Sequence, residues 1–292
     1  MLIYPLFTFK TLLSTLFLCL LWIPTIPTGA AAPAPSQSDH CITAFDNGKI
    51  DWSTGKVTAI GKASPKGNKD GANKSVPGSA QADASRNIIQ ILKQIKIRKT
   101  LTVGQYASQN DIILAGIEKT ARDAVITKQY FTSALDVEIE IETSIGGGFL
   151  QLVLPDDIRQ ISKINAEKPM SPNQGMENIP YTGLIIDARG LELEPALYPT
   201  IVSEQGNEIY SSLFISREFA VQYGVCSYVC SMDKAIREKR IGPHPLIFKA
   251  LRKSSNENAS VVISMADTKR IEKATERHIF LKECRVIIVM GH

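Results

Sequence analysis

The sequence predicts an α+β protein: a two-layer domain with a helix on an antiparallel sheet, then a second, mixed α/β or α+β domain. Three observations carry this expectation. Leu135, Val137, Ile139 and Ile141 alternate with Asp136, Glu138, Glu140 and Glu142, the two-residue period of a strand with one apolar and one acidic face. Ala80, Ala84, Ile88, Ile91, Leu92 and Ile95 recur at helical spacing and form one apolar stripe. Short apolar runs at 184–186, 261–263 and 284–290 read as buried strands of a later domain.

Taken in order, residues 1–31 read as a cleaved signal peptide. Lys10 is their only charge, residues 11–23 are almost wholly apolar, and small residues follow Pro24 and Pro27. The apolar run is shorter than the roughly 18–20 residues that span a bilayer, so cleavage is the first reading and retention as an anchor the alternative. Lipidation at Cys19 needs a small residue before it, and Leu18 stands there. Residues 32–48 read as a flexible leader.

The first domain is expected over 49–155. It opens with a short strand at 56–61, and a Gly-, Lys-, Asn- and Ser-rich loop follows at 64–79. Next come the 80–95 helix, an extended segment at 100–106 and a short helix at 111–120. Residues 124–131 then form a hairpin with 135–145, turning around 132–134. The helix stripe is the natural cover for the sheet's apolar face. Residues 156–180 read as a linker. The second domain, 181–292, is expected to begin with a strand at 184–186 that ends at Asp187, Ala188, Arg189 and Gly190. A hairpin at 200–210, a helix from Ser216 and a strand at 246–250 follow. The strand at 261–263, a helix N-capped by Asp267 and a last strand at 284–290 complete it.

The formal charge of +4 is small, and 21% of residues are charged, as in packed soluble domains. Its distribution is uneven. Residues 49–100 hold eleven Lys/Arg against three Asp/Glu, and residues 101–160 hold four against nine. A solvated lysine-rich loop accounts for this, and the alternative is guided association with a charged partner or a membrane surface. Export and the lack of a helix-turn-helix or zinc-finger pattern argue against nucleic acid. Membrane association stays open, with no spanning segment expected in the mature chain.

Past the signal stand Cys41, Cys226, Cys230 and Cys284. An exported chain meets an oxidising compartment, so one or two disulfides are expected, and all three full pairings remain open. Cys226 and Cys230 would share a face if helical, and their spacing is not that of a redox CxxC pair. The four histidines form no spaced pair, so neither a metal nor another cofactor is expected.

Asp187 and Arg189, with Gly190 in the turn after a buried strand, are the first candidates for a polar ligand site. Asp267 would join Asp187 as a carboxylate pair, or else only cap its helix. His244 sits in a Gly-Pro-His-Pro turn without a nucleophile motif beside it. Glu138, Glu140 and Glu142 read as a solvated strand face. Gly146–Gly147–Gly148 precedes Phe149 and Leu150, where a phosphate loop needs Lys and Ser/Thr. No residue is assigned a catalytic role.

Asp51-Trp52, Ala59-Ile60-Gly61 and Ala84-Ser85-Arg86-Asn87-Ile88-Ile89 resemble the twenty-kilodalton Lpp-type lipoprotein family over residues 49–155. That domain is similar to the N-terminal domain of the flagellar assembly protein T. The segments 181–190, 195–199 and 261–267 resemble uncharacterised bacterial envelope proteins. These resemblances imply an exported protein of the periplasm or outer membrane, structural or protein-binding rather than enzymatic. Its partners would be other envelope proteins or further copies of itself. The alternative is a ligand-binding or enzymatic module using Asp187, Arg189 and Asp267.

Overall fold

In the computed structural model, residues 40–65, 75–98, 100–154, 180–211, 215–255, 257–275 and 279–291 are described. The expected signal, the start of the leader and nearly all of the expected linker lie outside the described residues.

The first half opens with β1 (Ile42–Phe45), β2 (Gly48–Asp51), β3 (Lys56–Ala63) and helix α1 (Val76–Gln94). A small ribbon of β4 (Lys96–Arg98) and β5 (Leu101–Thr102) leads to α2 (Val103–Ala107) and α3 (Asp111–Arg122). Then come β6 (Val125–Phe131), β7 (Val137–Ser144) and α4 (Gly148–Val153). The main sheet is antiparallel, ordered β1-β2-β3-β7-β6. Helix α1 starts four residues before the expected position because Ser75 accepts a bond from the Gly78 amide and Pro77 sits in the first turn. Ala80, Ala84, Ile88, Ile91 and Leu92 are buried beneath it. The close approach needs Gly61: a Cβ there would lie 2.1 Å from the Ala84 nitrogen and 2.2 Å from the Ala80 oxygen.

On the outer face, Lys62 pairs with Glu138 at 2.9 Å, Lys128 with Glu140 at 3.1 Å, and Lys56 with Glu142 at 2.7 Å. The acidic strand face is thus neutralised by the strands on either side. Three expectations need correction. Residues 42–45 of the expected leader are a strand, held by β2. The extended segment at 100–106 turns helical after Thr102, because Thr102 and Gln105 form a reciprocal capping box. Phe149 and Leu150 lie in a helix not foreseen, with both side chains in the core.

The second half contains β8 (Gly183–Asp187), β9 (Ile201–Ser203), β10 (Glu208–Tyr210), α5 (Arg217–Tyr223), β11 (Ser227–Val229) and α6 (Met232–Arg237). It continues with β12 (Pro245–Lys249), β13 (Arg252–Ser254), β14 (Glu257–Ile263), α7 (Met265–Thr275) and β15 (Val286–Val289). One sheet is parallel, ordered β11-β15-β8-β12. The other is mixed, ordered β10-β9-β14-β13, with β9 and β14 parallel. The central strands β8 and β15 of the parallel sheet are buried on both faces, whereas edge strand β12 leaves Ile247 46% exposed. Leu184, Ile186 and Ile288 enter the main core, while Ile185, Ile287, Val229 and Val289 pack with Ala235 and Ile241 on the other side. That is why its strands read as unbroken apolar runs. Cys284 is not in the last strand; it sits in the preceding turn at φ 56°.

The main core runs through both halves without a break, and the described residues fall in one compact unit. Leu197 and Tyr198 donate backbone bonds of 2.9 Å to Lys96 and Ile97. The Trp52 ring meets Tyr228 edge-on, with centroids 5.8 Å apart. The class is α+β, a helix-on-sheet first half followed by a second domain from residue 183. Among the described residues no helix is long and apolar enough to cross a membrane.

Candidate functional site

Ligands of open parallel sheets gather outside the carboxyl ends of the strands, and Asp187 stands there at the end of β8. Arg189 forks onto it, with Nε 2.8 Å from Oδ1 and Nη2 2.7 Å from Oδ2, and the Arg189 amide adds a bond of 3.2 Å to Oδ1. The bond from the Arg189 guanidinium holds the Asp187 carboxyl below its ordinary range, against the opposing effect of partial burial. Gly190 follows at φ 80°, and a Cβ there would meet nothing within 4 Å. Its place in the turn is conformational. The pair closes a turn, and both of its charges are satisfied locally.

Asp267 belongs elsewhere. It occupies the third position of α7, after a strand of the mixed sheet, and Ser264 takes the capping role expected of Asp267. The Asp267 amide donates to Ser264 Oγ at 3.1 Å, and Ser264 Oγ donates back to Asp267 Oδ2 at 2.7 Å. Arg270 stands 3.7 Å from the same carboxylate. Asp187 thus ends a strand of the parallel sheet while Asp267 lies in the first turn of the helix after the mixed sheet, each with its own partners. His244 is exposed in its turn, where its amide donates to Thr182 Oγ1 at 2.9 Å. Among the described residues no group of three or more His, Cys, Asp or Glu side chains could hold a metal ion.

The cysteines are better connected. Cys41 and Cys230 form a disulfide across 189 residues of sequence, with their Cα atoms 5.4 Å apart. Cys226 and Cys230 flank strand β11 and do not share a helix face, a correction to the helical spacing. Cys226 and Cys284 are free thiols, and their enclosed surroundings push them up to about 12 and about 11.

Beside them lies Arg240, which sequence reasoning passed over. Its Nε donates to the Cys284 carbonyl at 2.6 Å, its Nη1 to Tyr223 O at 2.7 Å and its Nη2 to Gly224 O. One guanidinium thereby ties the end of α5 to the turn before β15. Tyr228 was missed in the same way; its hydroxyl accepts from the Ala196 amide at 3.1 Å and donates to the Ala196 carbonyl at 2.8 Å. Nothing in the local sequence marks either residue, since their partners are backbone atoms distant along the chain.

Two hollows remain. One, of about 430 Å³, is lined by Glu208, Ile209, Ile271, Glu272 and Lys282 and carries both signs of charge. The other is an open groove of about 380 Å³ where the two halves meet, with Tyr106, Asn110, Ile113, Leu152 and Arg217 in its walls. Arg217 was not among the expected site residues; it is the first residue of a helix whose Ser216 cap makes no side-chain bond.

No curated protein matches the chain. The family model for the second domain of Treponema pallidum Tp0624 matches residues 183–292, less than half of the chain. That span starts at the first residue of β8 and takes in every strand of the parallel and mixed sheets. The later half of this chain is therefore similar to a domain of a bacterial protein.

Proposed function

We propose that the protein is an exported bacterial cell-envelope component, structural or protein-binding rather than enzymatic, in the periplasm or at the outer membrane. The disulfide between Cys41 and Cys230 carries this reading. Structural disulfides persist in oxidising compartments and are rare in the reducing cytosol. The bond begins shortly after the expected signal and fastens the start of the mature chain to its second half.

A second support comes from the sheet edge. Every residue of β6 is exposed, including Val125 at 67%, Tyr130 at 55% and Phe131 at 62%. An edge strand carries unpaired backbone groups on which another extended segment can dock. The resemblance of residues 49–155 to Lpp-type lipoproteins, and through them to the flagellar assembly protein T, supports an assembly role by analogy. The similarity of residues 183–292 to a Treponema protein agrees with a bacterial source.

The test is fractionation of cells expressing the full chain, with mild crosslinking before lysis. The proposal expects the processed chain in an envelope fraction, within a crosslinked assembly that includes a second envelope protein or further copies of itself. A free monomer in every fraction contradicts it.

A further inference from the structure

The disulfide joins the first and third of the four cysteines that follow the expected signal, and it passes over Cys226. Chain statistics do not favour that pairing while the chain is open. Loop closure becomes less probable as the loop lengthens. Cys284 lies less than a third as far from Cys230 along the chain as Cys41 does, which favours a Cys230–Cys284 bond by roughly sixfold. Cys226 is closer still, with only residues 227–229 between it and Cys230.

The fold closes the late route to the bond. Cys41 is 2% exposed and Cys230 6%, so neither sulfur is within reach of a protein oxidant once the core has formed. The pairing has to be made while the chain is still open, and the cysteines around β11 stay open longest. Cys226 and Cys230 flank that strand, whose one ladder partner among the described residues is β15, the last strand of the chain. At about 5–20 residues per second, the stretch from Cys230 to the end of β15 takes about 3–12 s to emerge, and disulfides form within seconds. A Cys226–Cys230 bond made in that interval is incompatible with β11. Four residues of extended strand span about 13 Å, whereas the Cα atoms of a disulfide lie within about 7 Å of each other.

We infer that this chain is a substrate of a thiol–disulfide isomerase, which converts early bonds to Cys226 or Cys284 into the Cys41–Cys230 bond. Two thiols of the open chain first give two electrons and two protons to the disulfide of a protein oxidase, leaving, for example, a Cys226–Cys230 bond. The isomerase thiolate attacks the Cys230 sulfur, forms a mixed disulfide and releases Cys226 as a thiolate. The Cys41 thiolate then attacks the same Cys230 sulfur, and the isomerase departs as the thiolate it began as, so the exchange is electron-neutral. Folding makes the exchange one-way. The new bond is buried, and Cys226 and Cys284 are left as protonated thiols, pushed up to about 12 and about 11, that do not reopen it. The inference takes its oxidising compartment from the export reading, whereas the order of pairing follows from the chain itself.

The test uses the full chain from residue 32 onward, reduced, unfolded in urea and diluted into glutathione disulfide. Protein disulfide isomerase is added in catalytic amount, with the alkylated isomerase as control, and timed samples are quenched with iodoacetamide for non-reducing peptide mapping. With the control, Cys226–Cys230 and Cys230–Cys284 bonds are expected to dominate the early samples. Active isomerase should speed the appearance of Cys41–Cys230 by roughly tenfold or more. In Cys226→Ala/Cys284→Ala only the native pair can form, and the isomerase should leave its rate unchanged. The inference is overturned if the unchanged chain makes Cys41–Cys230 as its first and main bond at a rate the isomerase does not alter. It is equally overturned if the double variant gains as much from the isomerase as the unchanged chain. The mapping of the unchanged chain needs no variant, and the supplied oxidant makes the result independent of where the protein resides.

Discussion

Removing the disulfide is the perturbation whose size can be worked most directly from the structure. Cys41 and Cys230 close a loop of 189 residues, and the chain-entropy relation for a loop of that length gives about 5 kcal/mol of destabilisation of the unfolded chain. That figure is a ceiling, because unfolded chains keep residual structure and removal of native disulfides costs about 2–5 kcal/mol in practice. Contacts that remain include the Trp52–Tyr228 ring pair and the backbone bonds from Leu197 and Tyr198 to Lys96 and Ile97. The double variant Cys41→Ala/Cys230→Ala should therefore still fold, with its stability lower by about 2–5 kcal/mol. Changing both positions matters, since a lone Cys41 could pair wrongly with Cys226. The assay is urea unfolding followed by far-ultraviolet circular dichroism, on the oxidised protein, the protein reduced with dithiothreitol and the double variant. The reduced protein and the variant should unfold at a common, lower midpoint. A variant as stable as the oxidised protein to within about 0.5 kcal/mol would refute the reasoning, as would an unchanged midpoint on reduction.

Other perturbations have equally definite outcomes. Arg240→Met removes the donor to three carbonyls and should cost about 3 kcal/mol, read as a shift in urea midpoint. Gly61→Ala places a Cβ against the backbone of α1 at Ala84 and Ala80 and should cost about 3 kcal/mol or more, measured the same way. Cys226 and Cys284, pushed up to about 12 and about 11, should react slowly with iodoacetamide at pH 8 in the folded protein and rapidly once it is unfolded in urea. Asp187 has a depressed folded value, so its contribution is present above the unfolded carboxylate range near 3.9 and lost as pH falls through the folded value. Asp187→Asn should therefore lower stability at neutral pH by no more than about 1 kcal/mol, since Arg189 is half exposed, and the difference should vanish in acid.

The parts of this fold legible in the sequence are those held by local periodicity. The alternation at 137–142 and the stripe from Ala80 to Ile95 both reflect burial of one face, and β7 and α1 cover those patterns, whereas Leu135, expected on the apolar face, is 67% exposed in the turn before β7 at φ 63°. Leu184 and its neighbours announced a buried strand because a parallel sheet covered on both sides needs apolar residues at successive positions. Elements held by distant partners were not legible. β1 is short and mostly exposed, and its place depends on β2 and on a disulfide to a residue far along the chain. α2 is fixed by the Thr102–Gln105 reciprocal bonds, where the alternating apolar residues suggested extension. The candidate site fared similarly. Asp187 and Arg189 meet in a turn, as their spacing allowed, and Ser264 displaced Asp267 from the cap because its hydroxyl sits one residue before the helix. Arg240 owes its interest to carbonyls that the fold of the second half brings together, and Arg217 to a groove formed where the halves meet.

The central proposal is that this chain works outside the cytoplasm, with the segment before β1 fastened to the end of β11 by one disulfide. The most direct measurement is alkylation of intact cells expressing the full chain, followed by fractionation and non-reducing peptide mapping. The account predicts a Cys41–Cys230 linked peptide in the envelope fraction, with Cys226 and Cys284 alkylated only after unfolding. Recovery of Cys41 and Cys230 as free, alkylated thiols in the cytoplasmic fraction would contradict it.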